Sequence, residues 1–314
     1  MDLMKDLTEI ITDQFKECGI SYTDSNDVHK LLREYINTCS KMISPIPRKV
    51  FISEELKSKE PEEISSIFDE IKTKFEKGYN VNPHLSKRLL DLKSDDYLYH
   101  SWGIYHLHLT NTKKNKSDFF YDRPVPDSLL FFIVRGNDVY FIDILPHNEE
   151  NIFSKRRMLE IIKNNWHDLL EPCKVQGMEG AGYNDKEIGQ LRKDGTNSPI
   201  EIDGSTYLPI GGGGLSVSRT NLMHHRYVND FIEKTIEIER QIREELSKTV
   251  QDVPDNPDFH LCLEESGLVI KETNTDACIT SLNNFYGFCY LTMMLNQNSG
   301  FSKCSKTRRV GNVA

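Results

Sequence analysis

Seven cysteines, at positions 18, 39, 173, 262, 278, 289 and 304, include no C-x-x-C pair and are odd in number. They read as reduced thiols, which excludes a disulfide scaffold and a cysteine-built zinc site. Long apolar runs are missing too. The stretch Phe285 to Leu295 covers 11 residues, against about 20 for a membrane helix. The start, MDLMKDLTEIITDQF, has acids at Asp2, Asp6 and Glu9 and no continuous apolar run, so it reads as neither a secretory signal nor a transit peptide. A cytoplasmic protein without a membrane partner is expected. Positive charge is in deficit, 39 Lys+Arg against 48 Asp+Glu for a net charge of -9. That excludes a surface built throughout for nucleic acid or anionic membrane and leaves room for one local basic site. No internal repeat is evident.

What is present is 314 residues, 38% hydrophobic and 28% charged, a globular composition long enough for one large domain or two smaller ones. Leu3, Leu7, Ile10, Ile11 and Phe15 recur at helical spacing and stop at Gly19. Second and third helices follow the Asp24-Ser25-Asn26 cap and Pro61, the last ending at Gly78, with a short strand at Lys49 to Ile52 between them. From about residue 98 the pattern changes to strands: 102–110, 128–134 and 139–145, the last two joined by a turn at Arg135-Gly136-Asn137-Asp138. A helix over 153–170, a short helix at 186–191 and a hairpin turning at Asp203-Gly204 come next. A long amphipathic helix over 221–248 and a hairpin at 259–273 complete the pattern. The fold class is α+β: N-terminal helices, a central antiparallel sheet with packed helices, and a C-terminal long helix and hairpin. The expected parts are a helical 1–95, a histidine-bearing sheet domain 96–215, a helix and hairpin 216–276, and a tail 277–314. That tail has no Asp or Glu, four basic residues and three cysteines, and reads as a frayed extension or as a partner-binding segment.

The densest chemical signal is histidine: five of ten, at 100, 106, 108, 147 and 167, lie between residues 100 and 167. On a strand His106, His108 and Thr110 share one face, and Tyr105, Leu107 and Leu109 the other. With the apolar set facing the core, two imidazoles about 7 Å apart are presented on a solvated face, where they can act as acid and base. Asp143 is the lone acid of an apolar run and requires a histidine or arginine partner. His147 follows Pro146 at a strand end. Arg123, Arg135 and Lys155-Arg156-Arg157 are candidates to hold a phosphate, with Thr110 and Tyr105 beside them. The same histidines with Asp143 also make a metal pattern, ranked below acid–base chemistry, so no cofactor or metal is assigned. Structural histidines remain the competing reading. His224-His225 is expected in solvent, Gly211 to Gly214 reads as a flexible turn, and the stripe Tyr227, Phe231, Ile232, Ile236, Ile238, Ile242 marks core packing or a homodimer face.

Asp96-Tyr97-Leu98, Trp102-Gly103-Ile104-Tyr105-His106-Leu107-His108-Leu109, Leu129-Leu130-Phe131, Tyr140-Phe141-Ile142, His147 and Ile161 to Trp166 together resemble a group of uncharacterised bacterial proteins. The resemblance covers residues 80–215 and implies no activity. More loosely, helices followed by an antiparallel sheet bearing His and Arg are similar to metal-independent ribonucleases of the barnase, EndoU and RelE type, without a motif matched residue by residue. His108-Leu109-Thr110 resembles half of a His-x-Thr phosphoesterase signature, but His260-Leu261-Cys262 lacks the second hydroxyl. The expectation is a ribonuclease-like enzyme of toxin or phage-defence type acting on RNA: His106 and His108 as acid and base, His147 and Asp143 beside them, and Arg123 or Arg135 on phosphate. A non-enzymatic interaction module is the alternative.

Overall fold

The computed structural model describes residues 1–22, 27–59, 66–115, 118–123, 125–209, 214–216, 220–248, 257–264, 267–274 and 276–281. In chain order the elements are α1 (Leu3–Glu17), α2 (Val28–Ser40), β1 (Lys49–Ile52), α3 (Glu54–Lys57), α4 (Ser66–Lys77) and α5 (Tyr97–Trp102). Then come β2 (Ile104–His108), β3 (Ser128–Arg135), β4 (Asp138–Pro146), α6 (Arg157–Trp166), β5 (Lys174–Val175) and α7 (Asp185–Lys193). The last are β6 (Ile200–Ile202), β7 (Ser205–Tyr207), α8 (Leu222–Lys248), β8 (Phe259–Glu264), β9 (Gly267–Glu272) and β10 (Ala277–Ser281). The class is the expected α+β. Two compact units are formed, one spanning Lys41–His224, the other combining Met1–Ser40 with residues from His225 onward. The sequence boundary at 95/96 thus falls inside the first of these units.

The Lys41–His224 unit is built on a sheet of order β1-β4-β3-β2. β2, β3 and β4 run antiparallel as expected, but β1 joins parallel to β4, making the sheet mixed. Helices cover both faces. On one face Phe75 of α4 meets Phe132 and Phe141 edge-on, with ring centroids 5.4 and 5.6 Å apart. The other face presents Ile104, Leu129, Phe131, Ile133 and Ile142 to Leu98 and Trp102 of α5 and to Met158, Leu159, Ile161 and Ile162 of α6. Trp102 is therefore helical, not the start of the strand. Gly103 ends α5 in the left-handed region at φ 66 and turns the chain into β2, a conformation that glycine adopts without a Cβ clash. The hairpin at Asp203-Gly204, both at positive φ, joins β6 to β7 as expected, and these pack with β5 in a second, three-stranded sheet.

In the other unit α1 packs on α2 and β8, and β8, β9 and β10 form an antiparallel sheet. The first five residues of the supposed frayed tail are thus its third strand, because the alternating Ala277–Ser281 segment pairs with β9. Residues 282–314 lie outside the described residues, as do 211–213 of the glycine run. The α8 stripe is covered by the chain itself: Phe231, Ile232 and Ile242 are buried, and Ile236 is exposed. His260 stands between two carboxylates, Nδ1 at 3.1 Å from Asp6 and Nε2 at 3.0 Å from Asp258. Partial burial opposes its charge, but Asp6 and Asp258 outweigh that and raise its pKa. With the folded pKa above the unfolded one, the clamp stabilises fully below about pH 6.5 and is lost as pH rises through the higher folded value. Amide exchange at Leu261, whose N–H donates to Asp6 at 2.9 Å, is expected to quicken over that rise beyond its intrinsic pH dependence. His260→Gln removes the extra step.

Candidate functional site

The geometry follows from the register. β3 begins where β2 and β4 end, with His108 opposite Leu129 and Ser128 opposite Pro146. The residue before β3, Asp127, therefore lies beside the residues that close both neighbours. Its backbone carbonyl accepts the His147 N–H at 2.8 Å, and its Oδ2 stands 2.8 Å from His108 Nδ1. A carboxylate accepts only, so that nitrogen carries the proton and Nε2 keeps its lone pair. His108 Nε2 is buried and has no hydrogen-bond partner, as do Asp127 Oδ1 and His106 Nδ1.

Three imidazoles are brought together. The His108 ring stacks on His147 with centroids 5.8 Å apart and lies 6.3 Å from His106, edge-on. Phe153, in the short turn Ile152–Ser154, packs against His106 at 5.1 Å and His147 at 6.2 Å. Asp96 caps α5 through Tyr99 N–H at 3.0 Å and turns Oδ2 towards His106 Nδ1 at 3.4 Å. The solvated histidine face expected from alternation is corrected here: His106, His108 and Ile104 share the face under α5 and α6. His147 is half-buried. Burial is the main cause lowering the pKa of His106 and His108, the latter to about 4, against the opposing pull of Asp96 and Asp127 respectively. Both are neutral at pH 7. Arg123, exposed in the loop between β2 and β3, adds to the lowering at both rings.

The other expected members are elsewhere. Tyr105 points to the opposite sheet face and stacks on Phe132 at 5.4 Å. Thr110 is buried and donates to the Asp122 carbonyl at 2.9 Å. Arg135 ends β3, six residues from Leu129, so roughly 20 Å from the histidine end at strand rise. Asp143 is fully buried and pairs with Lys59 at 3.0 Å and Arg157 at 3.7 Å. The arginine partner exists, but the closer cation is a lysine and no histidine takes part. Replacing Lys59 by Met is expected to destabilise the unit by about 2 kcal/mol, short of the full cost of orphaning a buried charge because Arg157 remains. Denaturant unfolding would show it, and adding Asp143→Leu would recover part of the loss. Lys155 pairs with Glu149 and Arg156 with Glu160, so this cluster is committed locally. His224, expected in solvent, is buried edge-on to His100 at 5.7 Å.

No group of three or more His, Cys, Asp or Glu among the described residues is arranged to hold a metal ion. Asp127 occupies His108 Nδ1. Sequence reasoning missed Asp127, Asp96 and Phe153. The signal for Asp127 was partial: the short turn at Gly136-Asn137 sets Arg135 opposite Asp138, a register that would bring residue 127 opposite 146, and a β-bulge between Phe131 and Phe132 shifts the pairing by one so that 127 lies beside 147. No protein family, curated protein or solved structure matches the chain. No helix among the described residues is long and apolar enough to cross a membrane.

Proposed function

We propose that the chain is a metal-independent ribonuclease-like enzyme that cleaves RNA by internal transesterification. The observation that carries this reading is the Asp127–His108 pair at 2.8 Å, which leaves a neutral Nε2 without a partner beside a second imidazole. An oriented neutral imidazole is a general base, and a neighbouring imidazolium its complementary acid. In the proposed step substrate displaces the half-buried His147 ring from its stack, and His108 Nε2 takes the proton of a ribose 2′-hydroxyl. That oxygen attacks the adjacent phosphorus, the P–O5′ bond breaks, and protonated His147 gives its proton to the leaving 5′-oxygen. The products are a 2′,3′-cyclic phosphate and a 5′-hydroxyl. Arg123 balances charge on the phosphate, and Asp127 fixes the His108 tautomer. His106 supports the pair from the buried side. A toxin or phage-defence setting suits such an activity.

The test is incubation of end-labelled RNA with the purified chain at pH 7 in a chelator. Fragments ending in cyclic phosphate are expected, together with an intact DNA strand of the same sequence, since DNA lacks the attacking hydroxyl. Uncut RNA across several single-stranded sequences would sink the reading and leave the interaction module.

A further inference from the structure

Beside the histidine cluster, the described residues 82–90, 109–115 and 118–123 contain five basic side chains against two acids, in a chain whose net charge is -9. These segments are joined. Tyr121 N–H donates to the Pro83 carbonyl at 2.8 Å, Arg123 Nη2 donates to Ser86 Oγ at 2.8 Å, and Lys87 approaches Asp122 at 3.7 Å. Asp122, one of the two acids, also accepts from the Lys114 backbone N–H, so its charge is turned inward. Arg88, Lys114 and Arg123 remain exposed. Tyr121 is half-buried, flanked by the ammonium groups of Lys74 and Lys113, each 5.4 Å from its ring centroid. The result is one basic rim, with aromatic surface between cations, that reaches the site at Arg123.

We infer that this rim, Arg88, Lys113, Lys114 and Arg123 around Tyr121, is the docking surface for the phosphate backbone of single-stranded RNA leading into the histidine pair. The inference rests on the ribonuclease reading for its choice of polymer. Cations along a groove with interleaved aromatics track a single strand through its phosphates and bases. Strandedness follows from depth: His108 Nε2 lies below the surface, and a stiff A-form helix cannot splay a nucleotide down to it, whereas a single strand can. Arg123 would hold the phosphate nearest the reaction, and Arg88 and Lys114 its neighbours.

The experiment uses the wild-type full chain and a fluorescent 20-nucleotide strand of 2′-O-methyl RNA, which binds but has no hydroxyl to react. Anisotropy is read over graded potassium chloride, against the same sequence as a duplex and against phosphatidylserine vesicles. The single strand is expected to bind at least tenfold more tightly than the duplex, with log affinity falling linearly in log salt. Arg88→Gln with Lys114→Gln, both exposed and so harmless to folding, should weaken binding at least tenfold and reduce the salt slope by about 1.4, near 0.7 for each lost phosphate contact on a single strand. Lys186→Gln with Lys193→Gln, exposed on and around α7, should change neither. Equal affinity for the duplex, binding to vesicles alone, or an unaltered slope in the rim variant would overturn the proposal. The two readings fail separately. Cleavage of ordinary RNA that persists unchanged in the rim variant removes the rim and keeps the enzyme, whereas rim-dependent binding with no cleavage removes the enzyme and keeps the rim.

Discussion

Replacing His108 by Ala is expected to lower RNA cleavage by about 10²- to 10⁴-fold, the usual contribution of a positioned general base. His108 is the one imidazole of the cluster with a proton fixed on one nitrogen and an unpartnered lone pair on the other, so its loss removes the base without a substitute. His147→Ala should fall in the same range, whereas Tyr105→Phe and Arg135→Gln, away from the cluster, should stay within a few-fold of wild type. Asp127→Asn separates orientation from simple packing. An amide offers Nδ1 either an acceptor or a donor, so the imidazole is no longer held in one tautomer. Nitrogen chemical shifts at pH 7 should then show a mixture in place of a single Nδ1–H form, with kcat reduced and binding of uncleavable RNA retained. Because His108 is neutral above about pH 4, the base side of the profile should be flat from pH 5.5 to 7. An unshifted imidazole, with a pKa near 6.5, would lose about tenfold over that span. A tenfold fall at pH 5.5, in protein shown to be folded, would remove His108 from the role.

Much of this site was legible, and the part that was not has a common cause. The parity of β2 is written in Tyr105-His106-Leu107-His108, and the structure keeps it: His106 and His108 share one face, Tyr105 the other. What alternation cannot decide is which face is open. Phe132 and Phe75 cover the tyrosine side, and α5 with α6 covers the histidine side, so the strand is buried on both. Phe75, Phe132 and α6 lie more than 20 residues away, and α5, though it directly precedes β2, reaches the histidine face only because Gly103 turns the chain between them. The parallel addition of β1 escaped notice for the same reason, since four residues carry no mark of the strand that receives them. Asp143 stood out correctly as a charge needing a partner, but its nearest partner, Lys59, belongs to the segment after α3 and is brought close only through β1 pairing with β4. Trp102-Gly103 reads as strand in sequence and differs at both residues: the tryptophan closes a helix, and the glycine is its left-handed cap.

The burial that suits His108 to base chemistry also makes the Lys41–His224 unit sensitive to acid. His84 is buried, its Nε2 accepts from the Lys74 ammonium at 2.9 Å, and its pKa is pushed down to about 4 by burial and by that neighbouring cation. Burial likewise depresses His100, with His224 and Lys41 adding to the effect. With folded pKa values below the unfolded value near 6.5, the unfolded chain binds more protons at every pH between the two. Stability is therefore complete above pH 6.5 and is lost as pH falls towards 4, by about 3 kcal/mol from His84 alone at 1.36 kcal/mol per unit. His106 and His108 add in the same direction. A total of this size approaches the whole stability of an ordinary domain, about 5–15 kcal/mol, so the unit is expected to unfold near pH 4 while intact at pH 7. Both tryptophans, Trp102 and Trp166, lie in this unit, so their fluorescence in denaturant reports it separately from the unit containing His260. His84→Gln keeps an acceptor for Lys74 but does not titrate. Its stability curve should be flatter than wild type between pH 6 and 4 by close to one proton, with the unfolding midpoint at pH 5 moving up relative to wild type. Identical slopes for the two proteins would mean that folded His84 takes up its proton over the same pH range as in the unfolded chain, so that burial and Lys74 do not depress its pKa.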